Sequence, residues 1–157
     1  MQKLESQLRI KGDVAAGRAL FFGKATCFGC HAVGVNGADF GPDLSNIGEI
    51  RSRHDILEAI VYPSASFARE YETSKIATKN SSYIGIIKEQ LPDLVIIATG
   101  PGSKVRVPRS EILSIEPQSV SMMPPGLDKQ LSIAELSDLI SFLESLPNGM
   151  GQVKSHE

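Results

Sequence analysis

The apolar positions change their period twice along the chain. From Val14 to Phe22 they follow a helical pattern, with Asp13 placed as an N-cap and Gly23 placed to end the segment. Gly17 lies one turn before Phe21, so a small residue and an aromatic share a face. A second helix is predicted from about Ser52, where Ser52-x-x-Asp55 reads as a capping box and Ile56, Leu57, Ile60 and Val61 supply the apolar stripe before Pro63. The third and clearest opens at Ser132-x-x-Glu135. Its stripe is Ile133, Leu136, Leu139, Ile140, Leu143 and Leu146, with Phe142 beside it and Pro147 as the stop.

Between the second and third helices the period becomes that of strands. Tyr83–Ile87, Leu94–Ala98 and Val105–Val107 are β-branched runs, separated by Asn80-Ser81, Leu91-Pro92-Asp93 and Gly100-Pro101-Gly102-Ser103. Connections of hairpin length leave no room for crossover helices. Four or five short antiparallel strands, in a meander or partly closed barrel, are therefore expected. Gly37–Gly48 is rich in turn formers and reads as a loop. Tyr71 and Tyr83 read as packing residues, and the residues after Gly149 as a polar, frayed tail.

Composition adds mainly exclusions. At 157 residues, 41% hydrophobic and 22% charged, the chain suits one compact unit with its own core. Sixteen Lys and Arg face 18 acids, a formal charge of −2. That is not a nucleic-acid footprint, which needs a basic excess. The strand region offsets Lys75, Lys79, Lys88, Lys104, Arg106 and Arg109 with Glu72, Glu89, Asp93, Glu111 and Glu116, the signature of solvated strand faces. No apolar run approaches the roughly 18 residues of a membrane span.

The chemistry lies in Cys27-Phe28-Gly29-Cys30-His31. C-x-x-C-H is the attachment motif of a c-type haem: the thiols add to the vinyl groups and the adjacent histidine reaches the iron. A zinc site would need a second ligand pair, and His54 and His156 stand alone. A thioredoxin-like dithiol would want a preceding strand, where this chain has a helical pattern. An open axial position on the iron decides between electron carrier and ligand-binding protein. Its candidate filler is in Ser121-Met122-Met123-Pro124-Pro125, where a proline-stiffened loop could hold either thioether. The competing use of a methionine is to fill an irregular core gap. Met150, in the Gly-rich tail, is set aside, and His54, near a helix start among charges, reads as a surface residue.

Gly17 with Phe21, the C-x-x-C-H run, Gly41-Pro42-Asp43-Leu44, a Met-Pro and a terminal helix carrying Phe142-Leu143 together resemble class I cytochrome c. Arg53-x-x-Ile56-Leu57-Glu58-Ala59-Ile60-x-x-Pro63-Ser64, the β-rich stretch, Ser121–Leu127 and Leu136–Leu143 further resemble the haem-binding domain of Pirellula/Verrucomicrobium type, over about Gly12 to Leu146. The resemblance implies an α+β fold: an all-α cytochrome c core of three to five helices around the haem, with an inserted small antiparallel β-sheet or partial barrel. The expected boundaries are 1–70 and 118–150 for the core, 71–117 for the insert and 151–157 for the tail. It implies one haem c on Cys27 and Cys30, His31 and Met123 as axial ligands, the Pro42 carbonyl on the free nitrogen of His31, and Leu44 packed on the porphyrin. Family members often have an Asp-Gly turn between the first two insert strands, where this chain has Asn80-Ser81-Ser82.

One-electron transfer to a redox partner protein or fused redox domain is the expected function, without substrate chemistry and without nucleic acid or a transmembrane segment. The alternative is a gas- or peroxide-binding haem with a labile methionine. Around Met123, however, only Ser119, Ser121 and Asp128 could assist acid–base chemistry. A third reading makes the β region a protein-docking module. Haem c attachment implies a periplasmic or otherwise extracytoplasmic location, although Met1–Glu5 lacks the start of a signal peptide. Either a mature protein with its signal removed or a domain of a longer secreted chain would resolve this, and the second is preferred because Leu4–Ile10 reads as the end of a preceding segment.

Overall fold

The computed structural model describes residues 1–8 and 11–150; the polar tail at 151–157, with His156, lies outside the described residues. The chain forms helices α1 (Gln2–Gln7) and α2 (Val14–Phe21), a short hairpin of β1 (Ala32–Val33) and β2 (Asn36–Gly37), then α3 (Ile47–Ile50) and α4 (Arg53–Val61). Strands β3 (Thr73–Thr78), β4 (Ser82–Gln90), β5 (Leu94–Gly100), β6 (Ser103–Pro108) and β7 (Ile112–Gln118) follow, and α5 (Ile133–Glu144) comes after the methionine loop. This is a mixed helix and strand architecture.

The expected caps form. The Asp13 carboxylate accepts from Ala16 N–H at 2.8 Å, and both capping boxes, Ser52 with Asp55 and Ser132 with Glu135, are reciprocal. Each satisfies backbone donors that a helix start leaves free. Helices α2 and α5 cross at Gly17. A Cβ there would lie 1.9 Å from the Asp138 carbonyl oxygen, so only glycine permits the approach. Phe21 and Phe142, both fully buried, meet edge to face at 5.7 Å beside the crossing. The stripe of α5 is buried as expected except at its first member: Ile133 is exposed, since it sits at the outer rim of the first turn. Ser141 and Asp138 of α5 accept from the Gly12 and Asp13 N–H groups, tying the start of α2 to the same helix.

Helix α1, the β1–β2 hairpin and α3 are absent from the sequence expectation. Leu8, the residue that caps the end of α1, is buried in the helical core and is held by Arg53, whose guanidinium donates to the Leu8 carbonyl at 2.8 Å and pairs with Glu144. The β1–β2 hairpin ends at Gly37 and α3 begins at Ile47, so the segment that reads as a loop from Gly37 to Gly48 is bounded by structure at both ends.

The five larger strands form one antiparallel sheet in the order β6-β5-β4-β3-β7. Consecutive strands β6 and β7 therefore lie at opposite edges, joined only by the 3-10 turn Arg109–Glu111. So short a link forces the sheet to curl, which encloses a core of Ile76, Val95, Ile97 and Val107 lined further by Tyr83, Ile87, Val105 and Ile112. The β3–β4 turn closes without an Asp-Gly pair. Thr78 Oγ1 donates to the Ser81 carbonyl at 2.9 Å and accepts from Ser81 N–H at 3.0 Å.

Candidate haem site

The cysteine motif begins at an unusual backbone turn. Thr26 has φ +58°, a left-handed conformation that a β-branched residue rarely adopts, and the 3-10 turn Cys27–Gly29 follows at once. His31 N–H donates to the Cys27 carbonyl at 2.9 Å, and Phe40 and Gly41 N–H both donate to the Cys30 carbonyl, at 3.1 and 2.7 Å. Leu44 N–H donates to Ala32 C=O at 2.9 Å. Backbone bonds thereby wrap the 38–44 loop around the motif.

Within that wrap, His31 Nδ1 donates to the Pro42 carbonyl at 2.7 Å. This fixes the tautomer in which Nε2 carries the lone pair, and it increases the basicity of that nitrogen. Gly41 lies against the imidazole: a Cβ would sit 2.8 Å from Cε1 and 2.9 Å from Nδ1. Desolvation lowers the His31 pKa, with the Pro42 bond opposing it, so the ring is held in the neutral form that ligates metals.

Both thiols are free. Burial pushes Cys27 up to about 11, and Cys30 is raised for the same reason. A dithiol redox centre needs the reverse, a depressed thiolate pKa. Among the described residues no three His, Cys, Asp or Glu side chains gather as a metal-binding group. The donor set therefore suits a haem held by two thioethers and one imidazole better than a zinc or dithiol site.

The site residues fall on both sides of a junction. Cys27, Leu44 and Met123 pack against the helical core, whereas Cys30, Tyr71 and Met122 pack against Phe40, Ile86 and Ala98. Phe40 comes from the loop after the motif and Ile86 and Ala98 from the sheet, so the curled sheet lies against the haem motif. The methionine loop is anchored by Ser121 N–H to Ser64 Oγ at 3.0 Å and by Met123 N–H to Ser121 Oγ at 3.1 Å. A cleft of about 320 Å³ lies beside the junction, lined by Ala38, Asp39, Phe40, Lys88, Ala98 and Lys104 among others. None of the six predicted site residues lines it. His54 is exposed and ion-paired with Glu5 on α1.

The family model described as Cytochrome c matches residues 14–95, from the first residue of α2 into β5. The chain belongs to the cytochrome c family. The family binds haem c covalently and works by haem-based electron transfer, and the CxxC pair Cys27 and Cys30 is present in this chain. Among curated proteins nothing matches this cytochrome. Among its described residues no helix is long and apolar enough to cross a membrane.

Proposed function

We propose that this cytochrome carries one haem c bonded through Cys27 and Cys30, with His31 and Met123 as axial ligands, and that it passes single electrons between redox partners. The observation that carries the reading is the His31–Pro42 bond with Gly41 beneath the ring, which leaves Nε2 as the free donor nitrogen of an oriented imidazole. When bound, the haem supplies the Fe(III)/Fe(II) couple, and a methionine ligand favours the reduced state relative to a second imidazole. Each cysteine adds its sulfur and its proton across one vinyl double bond, so attachment consumes no oxidant.

Met123 is favoured over Met122 by its position directly before Pro124 and by the Ser121 hydroxyl that holds its N–H. Leu44, in the same apolar neighbourhood as Cys27 and Met123, would pack on the porphyrin. Residues 71–117 are read as an inserted subdomain between core segments 1–70 and 118–150, as in the Pirellula/Verrucomicrobium-type domains. The resemblance also supports an extracytoplasmic location and a partner that is either a separate protein or a fused redox domain.

The test is retention of haem colour by the denatured chain, in wild type and in Cys27→Ala/Cys30→Ala, together with a redox titration. Covalent haem lost only in the double variant, with a reversible one-electron titration, is expected. Haem that dissociates from the denatured wild type, or ferrous protein that binds CO as readily as an open iron does, would contradict the reading.

A further inference from the structure

Phe40, Ile86 and Ala98 form a buried cluster of their own, apart from the helical core and from the interior of the curled sheet. Ile86 on β4 and Ala98 on β5 are directly opposed, so their side chains share one sheet face. Glycine builds this corner. A Cβ on Gly85 would lie 2.0 Å from the Ala98 carbonyl oxygen, so only glycine lets the two strands come so close beside Ile86.

What packs on the cluster gives its place. Cys30 and Met122 both lie against it, and they immediately precede His31 and Met123, the two residues read as axial ligands. One apolar cluster therefore touches the neighbours of both ligands. The iron would lie between those ligands, so a group that reaches both sides of it stands across an edge of the porphyrin, not over either face. Cys30 is only half-buried, so the cluster covers one side of it and leaves the rest free to meet the ring. Phe40 and Ala98 also line the surface cleft of about 320 Å³. With Ile86 behind them they are the wall between that cleft and Cys30.

We propose that Ile86 and Ala98, together with Phe40, seal the Cys30 edge of the haem against water and thereby raise its potential, acting through Cys30 and Met122 as positioning residues. This rests on the His/Met haem proposed above and gives the sheet a part in tuning it. Ferric haem carries one more positive charge than ferrous haem, and a dry apolar surrounding disfavours the more charged state. Water admitted at the edge removes that bias.

The experiment compares full-length holoprotein as wild type, Ile86→Val and Ile86→Thr. Valine and threonine leave a similar gap, but only threonine adds a hydroxyl that can hold water there. The midpoint potential should stay near that of wild type in the valine variant and fall in the threonine variant, with the far-red sulfur-to-iron band kept in both. Ala98→Ser should lower the potential in the same way, and it serves if the threonine variant does not accumulate. Equal shifts with valine and threonine would show that packing alone matters and would overturn the proposal, as would an unchanged potential in the threonine and serine variants. Loss of the far-red band in the threonine variant, with covalent haem kept, would overturn it in favour of a role in holding the methionine loop. Wild-type protein that loses its haem on denaturation would overturn the cofactor reading itself, before any variant is compared.

Discussion

At the residue scale, the imidazole of His31 is positioned by what lacks a side chain as much as by what bonds to it. Gly41→Ala would bring a methyl to within 3 Å of the ring, closer than Cβ atoms normally approach. The Pro42 carbonyl and the ring cannot both keep their places. The alanine variant is expected to lose most of the low-spin His/Met spectrum while retaining thioether-bound haem, which absorption spectra of purified holoprotein would show; an unaltered spectrum would mean that Gly41 is not needed for the ring's orientation. The cysteines and histidine were legible in the sequence because three rare residue types at fixed spacing have few other uses. Pro42 became a candidate only through resemblance, since its carbonyl carries no side-chain signal. The left-handed Thr26 was not legible at all, because φ is invisible in composition.

At the scale of elements, capping and periodicity located α2, α4 and α5, because each start is written in side chains that bind their own backbone. Short elements escaped for the opposite reason. The β1–β2 hairpin has two residues per strand and is stabilised by the loop wrapped around the cysteine motif, not by its own pattern. Helix α1 has six residues and depends on contacts with α4, from Arg53 to the Leu8 carbonyl and from His54 to Glu5. The α2–α5 crossing gives the strongest stability prediction. Gly17→Ala forces the helices apart and should cost about 3 kcal/mol or more in denaturant unfolding, at the upper end for overpacking; a cost below about 1 kcal/mol would show that the crossing relaxes easily.

The α1 contact should depend on pH. His54 has its pKa raised by the hydrogen bond and charge of Glu5, with Glu58 and Asp55 adding in the same sense. A raised folded-state pKa means that the contribution is fully present below the unfolded value of about 6.5 and is lost as pH rises through the folded value. His54→Gln should therefore lower the unfolding midpoint at about pH 5 and have little effect near pH 9, where wild-type histidine is also neutral. A gap that widens with pH would contradict this. Both partners are exposed enough for salt to weaken the effect.

At the scale of the whole molecule, a helical core and a curled sheet with its own interior meet at Phe40, Ile86 and Ala98, and the cysteine motif lies at that meeting. The strand runs were readable from β-branched composition, and the hairpin lengths excluded crossover helices. The pairing of β7 with β3 was not, because strand order is decided by closure of the sheet and leaves no local mark. The same holds for the contact between sheet and motif, which brings Ile86 and Ala98 against Cys30.

Ligation by His31 and Met123 is tested most directly by the far-red absorption of the ferric protein. A weak sulfur-to-iron band is expected in wild type and should disappear in Met123→Ala while thioether-bound haem remains. A band that persists in that variant, or none in wild type, would contradict it.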